Sequence, residues 1–134
     1  MKATAILETV IYAADPQAVA AFYMDVFGLE PVQSVPGRLA FLRCGAQMLL
    51  IFNPEATRDA GHQNGIPAHG ATGPGHLCFR AEDRAELDRW RARLAELGIA
   101  VEHEQSWKTG ARSIYLRDPA GTSVEIAEAA IWGL

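Results

Sequence analysis

The strongest constraint on this chain is that it states one supersecondary pattern twice. Ile6 to Tyr12 is rich in β-branched and large apolar residues and reads as a strand. Asp15-Pro16 then starts a helix, with Asp15 as N-cap and Pro16 at the first helical position. Val19, Phe22, Tyr23 and Val26 recur at helical spacing as core positions, and Gly28 supplies the stop. Pro31 to Gln33, Arg38 to Arg43 and Gln47 to Phe52 read as three further strands, with Cys44-Gly45-Ala46 turning between the last two.

The second half follows the same order. His76 to Arg80 is a short strand, and Asp83 caps a helix with Glu86 three residues on, a capping-box pattern. Leu87, Trp90, Leu94 and Leu97 form its expected buried stripe before Gly98. Ala100 to Glu104, Arg112 to Arg117 and Thr122 to Ala127 read as strands, the last two joined by Asp118-Pro119-Ala120-Gly121. Glu8 stands seven residues before Asp15, and His76 seven before Asp83. The pattern predicts an α+β fold of two tandem βαβββ modules, about 5–53 and about 75–128, within one domain spanning 1–134. The Gly-, Ala-, Pro- and His-rich stretch at about 54–74 is long enough to be read as a functional loop, such as a lid.

Composition narrows the class of protein. With 12 basic and 16 acidic side chains the net charge is −4, and scattered Lys and Arg give no track for nucleic-acid phosphates and no polybasic membrane anchor. Two cysteines, Cys44 and Cys78, are too few for a disulfide scaffold and are expected as buried reduced thiols, which suits a cytoplasmic location. Glu8 interrupts the apolar N-terminal stretch, so no signal peptide is expected, and no run approaches the length of a membrane span.

Three ionisable residues sit where apolar ones belong. Glu8 lies inside an apolar strand, His76 opens the matching strand of the second half, and Glu125 interrupts Val124-Glu125-Ile126-Ala127. A charged side chain directed inward is costly unless it is paired or binds a metal. Aligning Gly45 with Gly121 makes Leu49 the first-half counterpart of Glu125, so three of four related positions carry metal donors.

On these residues the chain resembles the vicinal oxygen chelate superfamily, which includes glyoxalase I, bleomycin-resistance proteins, fosfomycin-resistance enzymes and extradiol dioxygenases. Glu8-Thr9-Val10-Ile11-Tyr12 with Phe22-Tyr23 and Phe27-Gly28-Leu29 resembles its opening strand and helix. Gly75-His76-Leu77-Cys78-Phe79 is similar to its central strand, and the run from Asp118 to Glu125 to its closing turn and strand. The resemblance implies curved mixed sheets around a shared cavity, and a homodimer in which two chains can share a site. It places the metal ligands on Glu8, His76 and Glu125. The chain departs from the family's named activities at several points: the first ligand is Glu8, where His or Gln is usual; glyoxalase I's fourth ligand falls on Leu49; and the Thr of fosfomycin-resistance enzymes falls on Val10. Extradiol dioxygenases use two His and one carboxylate, against one His and two carboxylates here.

Such a donor set suits a divalent ion, Mn, Fe, Co, Ni or Zn, and leaves a position open for a substrate oxygen that the ion would polarise. Glu8 or Glu125 could then serve as general base. Alternation puts Cys78 and Arg80 on the side of His76, and Arg80 could hold an anionic group. Trp107, Lys108, Arg112, Ser113 and Tyr115 are candidates for the mouth of the cavity, and Tyr115, ten residues before Glu125, resembles a substrate-contacting Tyr of the fosfomycin group. His62 and His69 are expected as solvated loop histidines, His103 as a surface charge, and the Arg89–Arg93 cluster as a solvated helix face. Trp132 either closes over a pocket or packs at a dimer contact. The expected function is a glyoxalase- or dioxygenase-like metal-dependent enzyme acting on a small oxygenated substrate. The alternative is a metal-free protein of the bleomycin-resistance kind that binds a drug-like molecule.

Overall fold

A computed structural model describes residues 1–58 and 66–134, so the expectation for His62 lies outside the described residues. The chain divides into two compact units, Met1–Gly73 and Pro74–Leu134, and each carries one copy of the repeat. In the first unit β1 (Glu8–Tyr12) leads through α1 (Pro16–Phe27) to β2 (Glu30–Val35), β3 (Leu39–Cys44) and β4 (Gln47–Phe52), followed by the short α2 (Pro54–Thr57). The chain leaves β1 through the helix, lands at the far edge of the sheet as β2, and turns back until β4 lies parallel to β1, giving the order β1-β4-β3-β2. The second unit repeats this with β5 (His76–Ala81), α3 (Arg84–Glu96), β6 (His103–Ser106), β7 (Arg112–Arg117) and β8 (Ser123–Glu128), in the order β5-β8-β7-β6. A 3-10 turn, Ala129–Trp132, follows. These are two four-stranded mixed sheets with helices, the expected α+β class of two βαβββ modules.

The helix ends form for the reasons the sequence offers. Asp15 accepts hydrogen bonds from the backbone N–H of Gln17 and Ala18, at 3.1 and 3.0 Å, so two otherwise orphaned donors are satisfied. Asp83 does the same for Glu86 N–H at 2.8 Å, while the Glu86 carboxylate reaches back to the N–H of Glu82, one residue before the cap. After both long helices the chain turns through a glycine at positive φ, Gly28 at +68° and Gly98 at +69°, a conformation that costs any residue with a Cβ.

Side chains alternate between the two faces of each sheet, although the interior strands β4 and β8 are buried on both. In the first unit Ile11, Ala40, Leu42, Leu49 and Ile51 are buried with Val19, Ala20, Tyr23 and Val26 of α1. In the second, Ala81, Ile114, Leu116, Val124 and Ile126 are buried with Leu87 and Leu94 of α3. One face of each sheet is thus committed to a helix core, and the residues between these positions lie on the opposite, open face. Glu8, Val10 and Tyr12 belong to that face in the first unit, and His76, Cys78 and Arg80 in the second.

Several expectations are corrected. The first strand begins at Glu8 rather than Ile6; Ile6 and Leu7 are about 70% exposed, at 69% and 71%. The strand expected at Ala100–Glu104 is His103–Ser106, because its hairpin with β7 closes later, where Trp107 N–H bonds to Ala111 O and Gly110 N–H to Trp107 O. Leu97 is 45% exposed, since α3 ends at Glu96 and the stripe ends with it. Trp90 and Phe22 are half-buried rather than central; Tyr23, fully buried, takes the core position. Neither cysteine is buried: Cys44 is partly covered and Cys78 exposed.

Leu94 has no solvent exposure, so Leu94→Ala removes a branched apolar side chain from α3, the helix that packs on β7 and β8. Urea unfolding followed by circular dichroism should show a loss of about 2–5 kcal/mol.

Candidate functional site

The open face of the second sheet is organised around one carboxylate. Glu125 lies on β8, which has β5 on one side and β7 on the other, and its opposite numbers on those strands are Cys78 and Tyr115. Both flanking strands therefore bring a hydrogen-bonding group to it. The Tyr115 hydroxyl donates to Oε1 at 2.9 Å, and Nε2 of His76, at the start of β5, lies 3.3 Å from Oε2. The Glu125 side chain is 8% exposed whereas that of His76 is 52% exposed, so the cluster has a buried end and an open end. A carboxylate this buried requires partners of that kind.

The neighbours register the charge. Burial first, and then the hydrogen bond to Glu125, push the Tyr115 phenol up to about 12. Crowding around the Cys78 thiol, and then the Glu125 carboxylate beside it, push that group up to about 12 as well. Both groups therefore stay protonated at neutral pH and act as donors towards an acceptor. The His76 and Tyr115 rings lie 6.4 Å apart with planes inclined by 28°.

The remaining expected residues are placed as follows. Glu8, in the first unit, is the exposed first residue of β1, opposite Met48. Arg80 lies on the open face with His76 and Cys78, and its guanidinium pairs with Glu82 at 2.8 Å. Arg112 is exposed on the β7 face that carries Ile114 and Leu116, opposite to that of Tyr115; its backbone N–H donates to Glu128, which also pairs with Arg84. Trp107 is partly exposed, and its indole N–H donates to the Ser113 hydroxyl at 2.7 Å. His69 is not a solvated loop histidine: its Nδ1 is 2.7 Å from the Tyr12 hydroxyl and its ring meets Phe52 edge-to-face at 4.9 Å. Trp132 is exposed beside a small hollow of about 180 Å³ that Cys78 and Arg80 also line.

A larger hollow, about 440 Å³, opens beside Tyr115 and runs from Ser123 on β8 towards Trp107 and β6. His103 and Gln105 of β6 line it, opposite Tyr115 and Ser113 in the strand register. Sequence reasoning took His103 for a surface charge, and left Gln105 out because it ended the strand at Glu104. It also missed Cys78 as a neighbour of Glu125, although alternation had put it on the side of His76.

The pairing also corrects the counterpart of Glu125. Glu125 lies opposite Cys78, two residues after His76, and the residue opposite Val10, two after Glu8, is Leu50 rather than Leu49. The turn before β8 is one residue longer than the turn before β4, so aligning the two glycines shifts the match by one. Phe41 stands opposite Leu50 as Tyr115 stands opposite Glu125. Val10, Leu50 and Phe41 thus hold the places of Cys78, Glu125 and Tyr115.

As a metal centre, His76 and Glu125 offer a nitrogen and an oxygen donor close enough for one ion to come between them. Among the described residues no group of three or more His, Cys, Asp or Glu side chains is gathered tightly enough to hold a metal ion. No described helix is long and apolar enough to cross a membrane.

Comparison with known proteins gives the following findings. The family described as the Glyoxalase/Bleomycin resistance protein/Dioxygenase superfamily matches residues 5–126. A catechol-2,3-dioxygenase of Bacillus subtilis is 31% identical over 107 residues, which are 78% of this chain but 34% of that protein, so the chain spans about a third of the length of this relative. The crystal structure of a lactoylglutathione lyase from Agrobacterium tumefaciens is 51% identical, covers 100% of both chains and superposes with a TM-score of 0.97. A virulence protein from Salmonella typhimurium is 25% identical with a TM-score of 0.72, covering 96% of this chain and 98% of its own.

Tyr115→Phe should leave Glu125 Oε1 without its donor at a nearly dry position and lower stability by about 1–3 kcal/mol in urea unfolding. The pH dependence follows from the raised phenol. The unfolded chain loses this proton near 10 and the folded one near 12, so stability contributed below that interval is lost as pH rises through it. Chelator-treated protein should lose stability more steeply over that range than the Tyr115→Phe variant.

Proposed function

The chain belongs to the Glyoxalase/Bleomycin resistance protein/Dioxygenase superfamily, and from that premise we propose that it is a metal-dependent enzyme acting on a small oxygenated molecule. The observation that carries the reading is the His76–Glu125 contact of 3.3 Å, an imidazole and a buried carboxylate meeting beside Tyr115, which lines a hollow. Glu8, on the corresponding strand of the first unit, is the third ligand in this proposal. The set of one imidazole and two carboxylates balances a divalent charge and suits Mn, Fe, Co, Ni or Zn. The ion, when bound, supplies a Lewis acid that polarises a substrate oxygen.

The chain's own residues divide the remaining work. Tyr115 and Cys78 flank Glu125, and the Tyr115 hydroxyl keeps Oε1 occupied while Oε2 faces His76. That arrangement makes Glu125 the fixed anchor. Glu8 is exposed at the start of its strand and so is better placed to take up and return a proton as general base. Trp107 and Tyr115 form walls for the substrate. Arg80 would contribute charge further out, after releasing Glu82, whereas Arg112 lies on the other face of β7 and takes no part in this reading. Relatives named for lactoylglutathione and for catechol support an oxygen-bearing substrate, with lyase/isomerase and dioxygenase chemistry as the two reaction classes. The reading includes a homodimer with sites shared between chains, in the cytoplasm.

Elemental analysis of untagged protein purified without added metal tests the proposal. A stoichiometric divalent ion is expected, lost on chelation and in His76→Ala without loss of the circular-dichroism signal. Glu8→Gln should lower kcat by about 10²–10⁴-fold for a substrate found by screening. Metal-free protein that resists loading would favour the drug-binding alternative.

A further inference from the structure

We propose that the hollow bounded by β6, β7 and β8 is the substrate pocket and that it selects an uncharged planar ring over an anionic group. The proposal builds on the active site assigned to Glu125 above. At about 440 Å³ the hollow is the size of a small-molecule site. Three rings line it, those of Trp107, His103 and Tyr115. The His103 and Tyr115 rings stand 6.0 Å apart and 40° inclined, a tilted pair on one wall of the hollow. Trp107 spends its only polar atom on Ser113, which is wholly buried, so the indole is tethered by its edge and offers apolar surface.

The charged residues of the hollow cancel. Among the described residues Arg117 is its only Lys or Arg, and all three guanidinium nitrogens are engaged: Nε and Nη2 with the Glu102 carboxylate at 2.6 and 3.1 Å, and Nη1 with Gly121 O at 3.1 Å. The pairing also holds the Glu102 carboxyl below the usual range, so its negative charge persists at neutral pH. An anion entering here meets a cation already matched and a carboxylate that repels it. Gln105 and Ser123 line the same hollow and can hydrogen-bond a hydroxyl or carbonyl.

Tyr115 joins the hollow to the site. Its ring is a wall and its hydroxyl holds Glu125, so a ring lying against it has its oxygen substituents beside the carboxylate and His76. Ser123, opposite His76 in the strand register, completes that junction.

Two probes with one ring system and different charge test the selection: 2-naphthol and naphthalene-2-sulfonate, titrated calorimetrically at pH 7 into the protein as purified and after chelation. Naphthol should bind about ten-fold more tightly than the sulfonate, and Trp107→Ala and His103→Ala should each weaken naphthol several-fold, to about ten-fold. Glu102→Gln releases Arg117 and should narrow the gap by strengthening the sulfonate. Sulfonate binding equal to or tighter than naphthol in the unaltered protein overturns the proposal. So does naphthol affinity unchanged in both ring variants, or a gap unchanged in Glu102→Gln. His103 is exposed on an edge strand, so its variant keeps the test decisive even where Trp107→Ala fails to fold. Ring selection in protein that never binds a metal would sink the metal reading alone. A metal lost with His76→Ala but no ring selection would sink this proposal alone.

Discussion

The burial of a carboxylate on an interior strand governs the second unit. β8 has neighbours on both sides, so Glu125 is within reach of two strands and nearly out of reach of water. In such a place the charge survives only if protein groups replace the lost solvent. Tyr115 and Cys78, directly opposite Glu125 on adjacent strands, and His76, two residues before Cys78 on the same face, are that replacement, delivered by register and alternation. No loop has to be ordered to bring them there. The same geometry fixes where the hollow lies, since Tyr115 serves both.

The scaffold makes this tolerable through its one-sidedness. Each helix covers one face of its own sheet, with fully buried Leu87 and Leu94 in the second unit and Tyr23 in the first, and that core supplies the stability. The open face is then free to carry groups that would be destabilising in a core. Arg84 ties the scaffold to the rim: it pairs with Glu128 at the end of β8 and donates to Gly110 O in the hairpin that carries Trp107. A side chain of the helix layer thus steadies the segment from which a wall of the hollow is built.

Much of this could be read from the chain, and the parts that could not have a common cause. The repeat, the caps at Asp15 and Asp83, the stops at Gly28 and Gly98 and the faces of β5 and β8 follow from local chemistry and period. Positions that depend on where two distant strands pair are not local. The pattern around Ala100 to Ser106 is polar and weakly alternating, so only its partner β7 decides which residues form the strand. The same holds for Leu49 and Leu50, where one extra residue in a turn moves the correspondence. His69 looked like a solvated residue because its partners, Tyr12 and Phe52, are far away along the chain. Glu125 and His76 were legible because a charge amid apolar neighbours is conspicuous without any knowledge of pairing.

Comparing the two copies shows what the cluster costs and how the cost is avoided where it serves no purpose. The places of Cys78, Glu125 and Tyr115 are held in the first unit by Val10, Leu50 and Phe41. The exchange is concerted: the acceptor is gone, and so are both donors that faced it, the phenol reduced to a plain ring and the thiol to a branched alkyl group. Removing one member alone would strand a buried polar atom, whereas replacing all of them with apolar groups of similar shape is close to neutral. Of the four positions of the cluster, only that of Glu8, opposite Met48, and His76, opposite Ser123, is ionisable in both copies, and both residues are exposed to water. The repeat therefore keeps a titratable group where solvation makes it cheap, and keeps a buried charge only in the copy that surrounds it with partners.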